Sequence, residues 1–435
     1  MTATQPDSMT ILERFRRGRP GEIDLTLRPA YRELLQRLGA PHQHLPPVFH
    51  VAGTNGKGSV CAFLRSILEA AGKNVHVYTS PHLERFHERI RIAGTLIRED
   101  QLRDLVLECE RLAAPGAVTY FEAVTAVAFA AFARHPADFT ILETGLGGRL
   151  DATNMVDRPR ATIITRLSYD HREFLGTTLR AITREKAGIM KPGVPCFVAP
   201  QSDIESLETL RAAAEALKAP LSIGAHDWQA APGEVGFVYR DAQRTLELPL
   251  PALLGTHQCW NASLAIASLL GTGFSDTNAI KTGMRSVEWP ARLQELKQGQ
   301  LRRLLPNSWE LWLDGGHNDS AGEVLALQAA SWQRSASRPL HLVAGMLNTK
   351  RPQEFFLPLA PFAKSLHCVP IPDEPQSLSA GALREEACQV GIQNVTTAID
   401  VAAALREIAK TSPLGRVLIC GSLYLAGDVL RQNNR

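Results

Sequence analysis

The segment GTNGKGS at 53–59 follows the apolar run VFHVAG and opens the helix-like stretch VCAFLRSILEAAG. Glycines at such a join let backbone N–H groups turn toward phosphate oxygens. The helix N-terminus adds partial positive charge, and Lys57 supplies a point charge. The spacing departs from the usual G-x-x-x-x-G-K-[ST], because Gly58 follows the lysine and the hydroxyl of Ser59 comes one place later. A glycine-rich turn without a ligand is the competing reading. The strand-to-helix placement, with a lysine inside the turn, weighs against it.

Three other apolar runs end in groups suited to a hard cation. Ser80 follows VHVYT, Glu143 closes FTIL, and Asp170 with His171 lies just beyond ATIITRLS. In a parallel sheet, ligands collect outside the carboxyl ends of the strands, so these residues are expected to converge on the phosphate loop. Magnesium held by one or two protein groups, with phosphates and water completing its shell, suits them. Taken singly, a serine after a strand reads as a helix cap and a strand-end acid as structural; their shared placement favours a metal site.

The loop ETGLGGRLDATN at 143–154, with Arg149 and Asp151, reads as a substrate rim or as a flexible connection. TYFE at 119–122 opens a helix whose aromatic pair either stacks on a flat heterocycle or packs in the core. DGGHN at 314–318 puts an acid and an imidazole on one loop, and CGSLY at 420–424 does the same for Ser422. An ordinary strand-to-helix turn is the better reading of either alone. Asn261, in HQCWNASLAIAS, is expected at a helix start, where capping is the default role.

The elements that must position these residues alternate between β-branched runs and helical patterns, the mark of βαβ units and a largely parallel sheet. Runs at 48–53, 74–80, 138–143 and 160–167 lead the first part of the chain, followed by a region of mixed character from Ala199 to Leu254 and the helix-like TNAIKTGMRSV. After WPAR at 289–292 the pattern restarts with WELWLD, LHLVAGM, SLHCVPI and RVLICGS. The fold class expected is therefore α/β: a mostly parallel sheet domain of the P-loop type over 1–292, then a smaller Rossmann-like α/β domain over 293–435. The boundary falls near Ala291 to Lys297.

With 435 residues, 45% of them apolar and 21% charged, the chain has the composition of a globular protein. Its net charge of +3 gives no broad electrostatic footprint for nucleic acid or anionic lipid, so an anionic partner is expected at a local site. Seven cysteines without a C-x-x-C pair fit neither a disulfide framework nor a zinc ribbon, which suggests a reducing cytoplasm. The N-terminal segment, with arginines at 14, 16, 17 and 19, lacks an apolar core of signal-peptide length, and the apolar stretch Val124 to Ala133 is too short to span a bilayer. Neither export nor a membrane location is expected.

Taken together these motifs resemble the folylpolyglutamate synthase/dihydrofolate synthase family, within the wider group of Mur-type ATP-dependent ligases. The resemblance is carried by HVAGTNGKGSV, YTSPHLERFHERIRI, LETGLGGRLDATN, DH followed by LGTTLRAITREKAGIMK, HQ with NA, and CGSLYLAG, and it covers nearly the whole chain. It implies that Thr54, Asn55, Gly56 and Lys57 hold ATP phosphates, with Gly58 and Ser59 completing the loop. Ser80 and Glu143 would bind one magnesium, and His171 a second, supported by a carbamylated Lys186. Asn261, Arg292 and Asp314 match nucleotide contacts, and His317 and Ser422 match active-site positions of the second domain. Lys57, His171, Lys186 and His317 are the catalytic candidates. Thr119, Tyr120, Phe121 and Glu122, with Leu150, Asp151 and Ala152, match dihydropteroate-binding segments.

The family's P-G-R is PAR in this chain, its DGAHNP is DGGHND, and its loop close to D-K-D is NTKRP at 348–352, in which Lys350 remains. The implied reaction is ATP-dependent addition of L-glutamate to dihydropteroate and to reduced folates through an acyl phosphate. The alternatives are an enzyme with one of the two activities, a Mur peptidoglycan ligase, and a nucleotide-switched binding protein. A Mur peptidoglycan ligase would carry a further N-terminal domain, and Lys57 lies too early for one. Two Mg²⁺ ions and ATP are expected, with K⁺ as an additional candidate, in a monomer.

Overall fold

The computed structural model describes residues 7–17, 29–335 and 338–434. Arg19 of the basic N-terminal run lies outside them. Among the described residues the first part of the chain builds an eight-stranded sheet. Its strands are β1 (Val48–Ala52), β2 (Val75–Tyr78), β3 (Ile90–Ile92), β4 (Thr95–Leu96), β5 (Phe139–Glu143), β6 (Ala161–Ile164), β7 (Cys196–Val198) and β8 (Leu221–Ile223). They lie in the order β4-β3-β2-β5-β1-β6-β7-β8. From β2 to β8 all neighbours are parallel, and β3 and β4 add an antiparallel edge. β1 and β5 are covered on both faces, so they read as unbroken apolar runs instead of alternating ones.

One face is packed by α1 (Lys57–Ala70), whose Val60, Phe63, Leu64 and Ile67 meet Val51, Ile141 and Ile163 beneath and helix α4 (Thr256–Gly271) above. The other face is packed by α2 (Tyr120–Ala133), through Val124 and Val127 among others, against Tyr78 and Leu142. A third helix near the sheet, α3 (Leu179–Ala187), follows β6. The region of mixed character resolves into the helix Ile204–Ala216, strand β8 and a separate antiparallel sheet of β9 (Trp228–Pro232), β10 (Gly236–Asp241) and β11 (Thr245–Pro249).

From Gln294 onward a six-stranded sheet forms in the order β12-β13-β17-β14-β15-β16. The strands are β12 (Gln294–Glu295), β13 (Glu310–Leu313), β14 (Leu340–Ala344), β15 (Ala363–Cys368), β16 (Val395–Thr397) and β17 (Arg416–Cys420), all parallel except β12. Helices α5 (Asp319–Ser335) and α6 (Leu423–Asn433) follow β13 and β17. No helix among the described residues is long and apolar enough to cross a membrane.

Register explains why distant residues meet. Val51 pairs with Glu143, Tyr78 with Leu142 and Ala52 with Ile164, so the carboxyl ends of β1, β2, β5 and β6 share one edge. The loops carrying Lys57, Ser80, Glu143 and His171 all leave from that edge.

Candidate active site

The phosphate loop is held by the segment that follows β6. Thr54 and Asn55 both donate their N–H groups to the carbonyl of Arg166, at 3.0 and 3.1 Å. The Thr54 hydroxyl donates to Ser168 O at 3.1 Å and accepts from Ser168 N at 3.2 Å. Gly56 has φ +90°, and a Cβ there would lie 2.6 Å from Asn261 Oδ1; both the backbone and the space demand glycine. Gly58 is confined from the other side, since its Cβ would meet the Trp289 indole at 2.7 Å.

Asn261 is no helix cap. It sits inside α4, which begins at Thr256 after Gly255, and its Nδ2 donates to Gln258 Oε1 at 3.0 Å. Gln258 in turn donates to Ser59 Oγ at 3.3 Å, so α4 presents two amides to the loop and the start of α1. Lys57 opens α1 and folds its ammonium onto Gly53 O at 3.1 Å and Thr54 O at 3.4 Å.

Lys186 approaches the same carbonyl from α3. It is buried, and its Nζ donates to Gly53 O at 2.9 Å. Burial lowers its pKa to about 7, and the charge of Lys57 acts in the same direction. Two lysines on one carbonyl make a site that an anion would complete. Glu143 is 4% exposed and accepts from Ser80 N at 3.2 Å. Its burial raises the carboxyl pKa, opposed first by Lys57. His171 takes a left-handed φ of 50° and is pushed down to about 3, chiefly by burial, so its imidazole is neutral and its ring nitrogens can serve as ligands. Among the described residues no cluster of three His, Cys, Asp or Glu side chains forms a ready-made metal cage.

The C-terminal unit brings its own loops to this edge. Asp314 is buried after β13 and accepts from Leu293 N at 2.8 Å and Gly316 N at 2.7 Å. Burial raises its pKa, with Arg292 the main opposing charge. Arg292 donates to Ala291 O at 2.9 Å. His317 directs Nδ1 at Gly315 O, 2.9 Å away, and holds Nε2 3.8 Å from Asp170 Oδ2. Lys350 Nζ lies 2.7 Å from Asp170 Oδ1. Burial alone would raise Asp170, but the hydrogen bond from His317 and the charge of Lys350 hold its carboxyl well below the usual range. These groups line an inter-unit cavity of about 130 Å³. A larger groove of about 530 Å³, between α3 and the helix Ile204–Ala216, contains none of the candidate residues.

Two profiles and three relatives place this arrangement. Residues 51–269 match the Mur ligase middle domain, and 297–432 match the dihydrofolate synthetase C-terminal domain. The dihydrofolate synthase/folylpolyglutamate synthase of Bacillus subtilis (strain 168) is 34% identical over 420 residues, 92% of this chain and 93% of that protein. The chain belongs to the dihydrofolate synthase/folylpolyglutamate synthase family. The structure of E. coli FolC in complex with DHPP and ADP is similar to it, with a TM-score of 0.86 and 32% identity over 99% of this chain and 98% of that one. A bifunctional folylpolyglutamate synthase/dihydrofolate synthase with Mn, AMPPNP and L-glutamate bound gives 0.83 and 30%, over 98% and 99%.

Against the family's pattern, Ala291 replaces the glycine of P-G-R and adopts φ 56°, a left-handed conformation that costs a Cβ-bearing residue about 1 kcal/mol or more. Asp319 replaces the proline of DGAHNP and opens α5, where an acid complements the helix dipole. In NTKRP the retained Lys350 reaches across to Asp170, while Arg351 is exposed.

The two segments matched to the family's dihydropteroate site lie side by side. Phe121 sits so close to Gly145 that a Cβ there would lie 2.3 Å from its ring, and its ring contacts Tyr78 with centroids 6.2 Å apart. Tyr120 lies under the Arg16 guanidinium at 4.7 Å. Thr119 and Glu122 cap α2 reciprocally, Glu122 N to Thr119 Oγ1 at 3.2 Å and Thr119 N to Glu122 Oε2 at 2.6 Å. Leu150 is half-buried and Ala152 buried, with the Ala152 carbonyl accepting from Tyr31 OH at 3.0 Å. The Asp151 carboxylate is taken up within its own loop, accepting from Gly145 N, Leu146 N and Thr153. Ser422 likewise caps α6, accepting from Tyr424 N at 3.0 Å.

Sequence reading missed Asn318, whose side chain meets Asn55, and the pairing of Asp170 with Lys350. Asn318 was visible within DGGHN and Asp170 within DH, but neither motif indicates a partner.

Proposed function

We propose that this chain joins the amino group of L-glutamate to the carboxylate of dihydropteroate and of reduced folates, with ATP converted to ADP and phosphate. The observation that carries this reading is the meeting at one strand edge of the phosphate loop, Lys57, Lys186 and Glu143 with His317 and Asn318 from the other unit. A carboxylate is a poor electrophile, so its oxygen must first take the γ-phosphoryl group, releasing ADP and giving an acyl phosphate. The glutamate nitrogen then attacks the acyl carbon, expelling phosphate and losing a proton as the amide forms.

In this reading Thr54 to Ser59 cradle the ATP phosphates, and Lys57 leaves the Gly53 carbonyl to meet charge spread over the γ-phosphoryl oxygens. Asn261, Arg292 and Asp314 contact the nucleotide. The donors fit hard cations: Glu143 with Ser80 offers oxygen ligands, and neutral His171 offers a nitrogen. With few protein groups each, phosphate and water would fill the remaining positions. Bound there, magnesium would supply Lewis-acid stabilisation of the transferring phosphoryl group. As an ammonium, Lys186 cannot ligate a metal. A buried amine titrating near neutrality can instead react with CO₂ to give an anionic carbamate, which would complete the second site. Holding both reactants between the two units supplies the orientation that amide formation requires. His317, brought by the second unit to within 3.8 Å of Asp170, would serve as an imidazole at this edge.

The division into units 1–292 and 293–435 fits the change of sheet and the two profiles. Acceptance of dihydropteroate as well as folates is supported by the contact between Phe121 and the loop bearing Asp151, and by the relatives' bifunctional names. Asp151 and Ser422 would contribute by shaping their loops. A cytoplasmic monomer is the setting this reading assumes. The test is purified protein with ATP, Mg²⁺ and L-glutamate, with dihydropteroate or tetrahydrofolate as acceptor. Acceptor-dependent ADP release and a glutamylated product are expected; ADP release without product would refute the ligase reading.

A further inference from the structure

Arg89 belongs to none of the groups assigned above, yet its backbone fixes it beside the reaction centre. β2 and β3 pair Tyr78 with Ile90, and Thr79 N donates to Arg89 O at 3.0 Å, so Arg89 lies opposite the residue before Ser80. Ser80 N in turn donates to Glu143 at 3.2 Å. The Arg89 guanidinium lies over the Phe86 ring, 5.6 Å from its centroid, and its Nε donates to His82 Nδ1 at 2.9 Å. A ring nitrogen that accepts belongs to a neutral imidazole, so His82 brings no negative charge to Arg89.

The Arg89 charge is felt by Glu143, whose foremost opposing charge is however Lys57. Among the described residues Arg89 forms no ion pair. The nearby Glu88 carboxylate is turned into its own loop, where it accepts N–H groups from Leu83, Glu84 and Arg85. Arg16, above Tyr120, is paired with Glu13 at 3.1 Å, and Arg431, on Leu83 O, lies 3.7 Å from Asp428. Among the described residues only the Nε of Arg89 is engaged in a hydrogen bond, so its two terminal guanidinium nitrogens remain available near the Ser80–Glu143 edge. Such a fork binds carboxylates in bidentate fashion.

The two acceptor classes differ in one relevant group. Dihydropteroate reacts through an aromatic carboxylate and carries no second one. A folate grows through its γ-carboxylate, and the glutamyl residue bearing it also carries an α-carboxylate, separated from the reacting group only by the side-chain carbons. When the γ-carboxylate occupies the reaction centre, its α-carboxylate needs a cation close by. Resting on the ligase reading of the site, we infer that Arg89 recognises the α-carboxylate of the acceptor's terminal glutamyl residue and so determines use of glutamylated acceptors.

The test compares three acceptors: dihydropteroate, tetrahydrofolate, and a tetrahydrofolate analogue with γ-aminobutyrate in place of glutamate, which lacks the α-carboxylate. The wild type should use tetrahydrofolate at least about tenfold better in kcat/KM than the analogue, the scale of one lost charged hydrogen-bond pair. Arg89→Gln should collapse that ratio toward unity and lose at least about tenfold more with tetrahydrofolate than with dihydropteroate. Arg89→Lys should restore part of the ratio. A wild type that uses analogue and tetrahydrofolate equally overturns the inference without any variant, as does a loss in Arg89→Gln that is equal for both natural acceptors. Wild-type turnover of dihydropteroate alone would also overturn it while leaving the ligase reading intact. Absence of product from every acceptor would instead refute the ligase reading.

Discussion

Asn55 and Asn318 exchange two amide hydrogen bonds, Asn55 Nδ2 to Asn318 Oδ1 at 3.2 Å and Asn318 Nδ2 to Asn55 Oδ1 at 3.1 Å. One residue lies in the phosphate loop and the other at the end of DGGHN, so the contact between the two units is tied directly to the loop expected to hold ATP. The same Asn318 Oδ1 accepts from Ala321 N at 3.0 Å, which fixes its side chain at the head of α5. If the pair acts as one unit, Asn55→Ala and Asn318→Ala should each lower kcat/KM for ATP and the double variant should lose little more. A coupling energy of about 1 kcal/mol is expected from a double-mutant cycle on that quantity. Strictly additive losses would show that the two amides act independently.

Lys57 is the lysine at the head of α1, and its only acceptors among the described residues are loop carbonyls. Replacing it removes a fixed charge from phosphoryl transfer while leaving the core beneath α1 untouched. Lys57→Ala should lower kcat by about a hundredfold or more, with a melting temperature within a few degrees of wild type. Turnover close to wild type would remove the phosphate-loop assignment.

For Lys186, the burial that brings its pKa to about 7 leaves a large neutral fraction at physiological pH, the form that reacts with CO₂. Protein prepared in CO₂-free buffer should lose most of its activity and regain it on adding bicarbonate. With ¹³C-labelled bicarbonate a carbamate resonance should appear in wild type and be absent from Lys186→Arg. Full activity without CO₂, together with no such resonance, would leave Lys186 as an amine that only braces Gly53.

The central strands were legible because burial on both faces writes them as continuous β-branched runs, and the phosphate loop because glycine and lysine have few other reasons to sit together at a strand-to-helix join. The two-stranded antiparallel edge at Ile90–Ile92 and Thr95–Leu96 was not, since such short strands carry no usable periodicity. Asn261 does not stand at the helix start that its pattern suggests, because α4 starts at Thr256 after Gly255, without a side chain that would mark its beginning. The ties between units were out of reach altogether. Asp170 and Lys350 are 180 positions apart, and Asn55 and Asn318 are 263 apart, so no local pattern encodes either pair.

His50 links the floor of the site to its pH dependence. It lies fully buried in β1, with Nε2 2.8 Å from Thr153 Oγ1, and Thr153 in turn donates to Asp151, which organises the loop at 145–153. Burial pushes its pKa down to about 3, with Lys191 acting the same way. An unfolded chain would bind this proton near pH 6.5 and the folded chain only near 3, so between those values the unfolded state carries more protons. The stability contributed by a neutral His50 is therefore present above about 6.5 and is lost as pH falls toward 3, on the order of 1.5 kcal/mol between pH 6.5 and 5. Urea denaturation of wild type and His50→Gln at neutral pH and at about pH 5 measures this. His50→Gln should be less stable than wild type at neutral pH, through loss of the Thr153 contact, yet lose less on acidification. Equal acid sensitivity in the two proteins would mean that His50 takes up its proton without opening the fold, and that the loop holding Asp151 does not depend on a neutral imidazole beneath it.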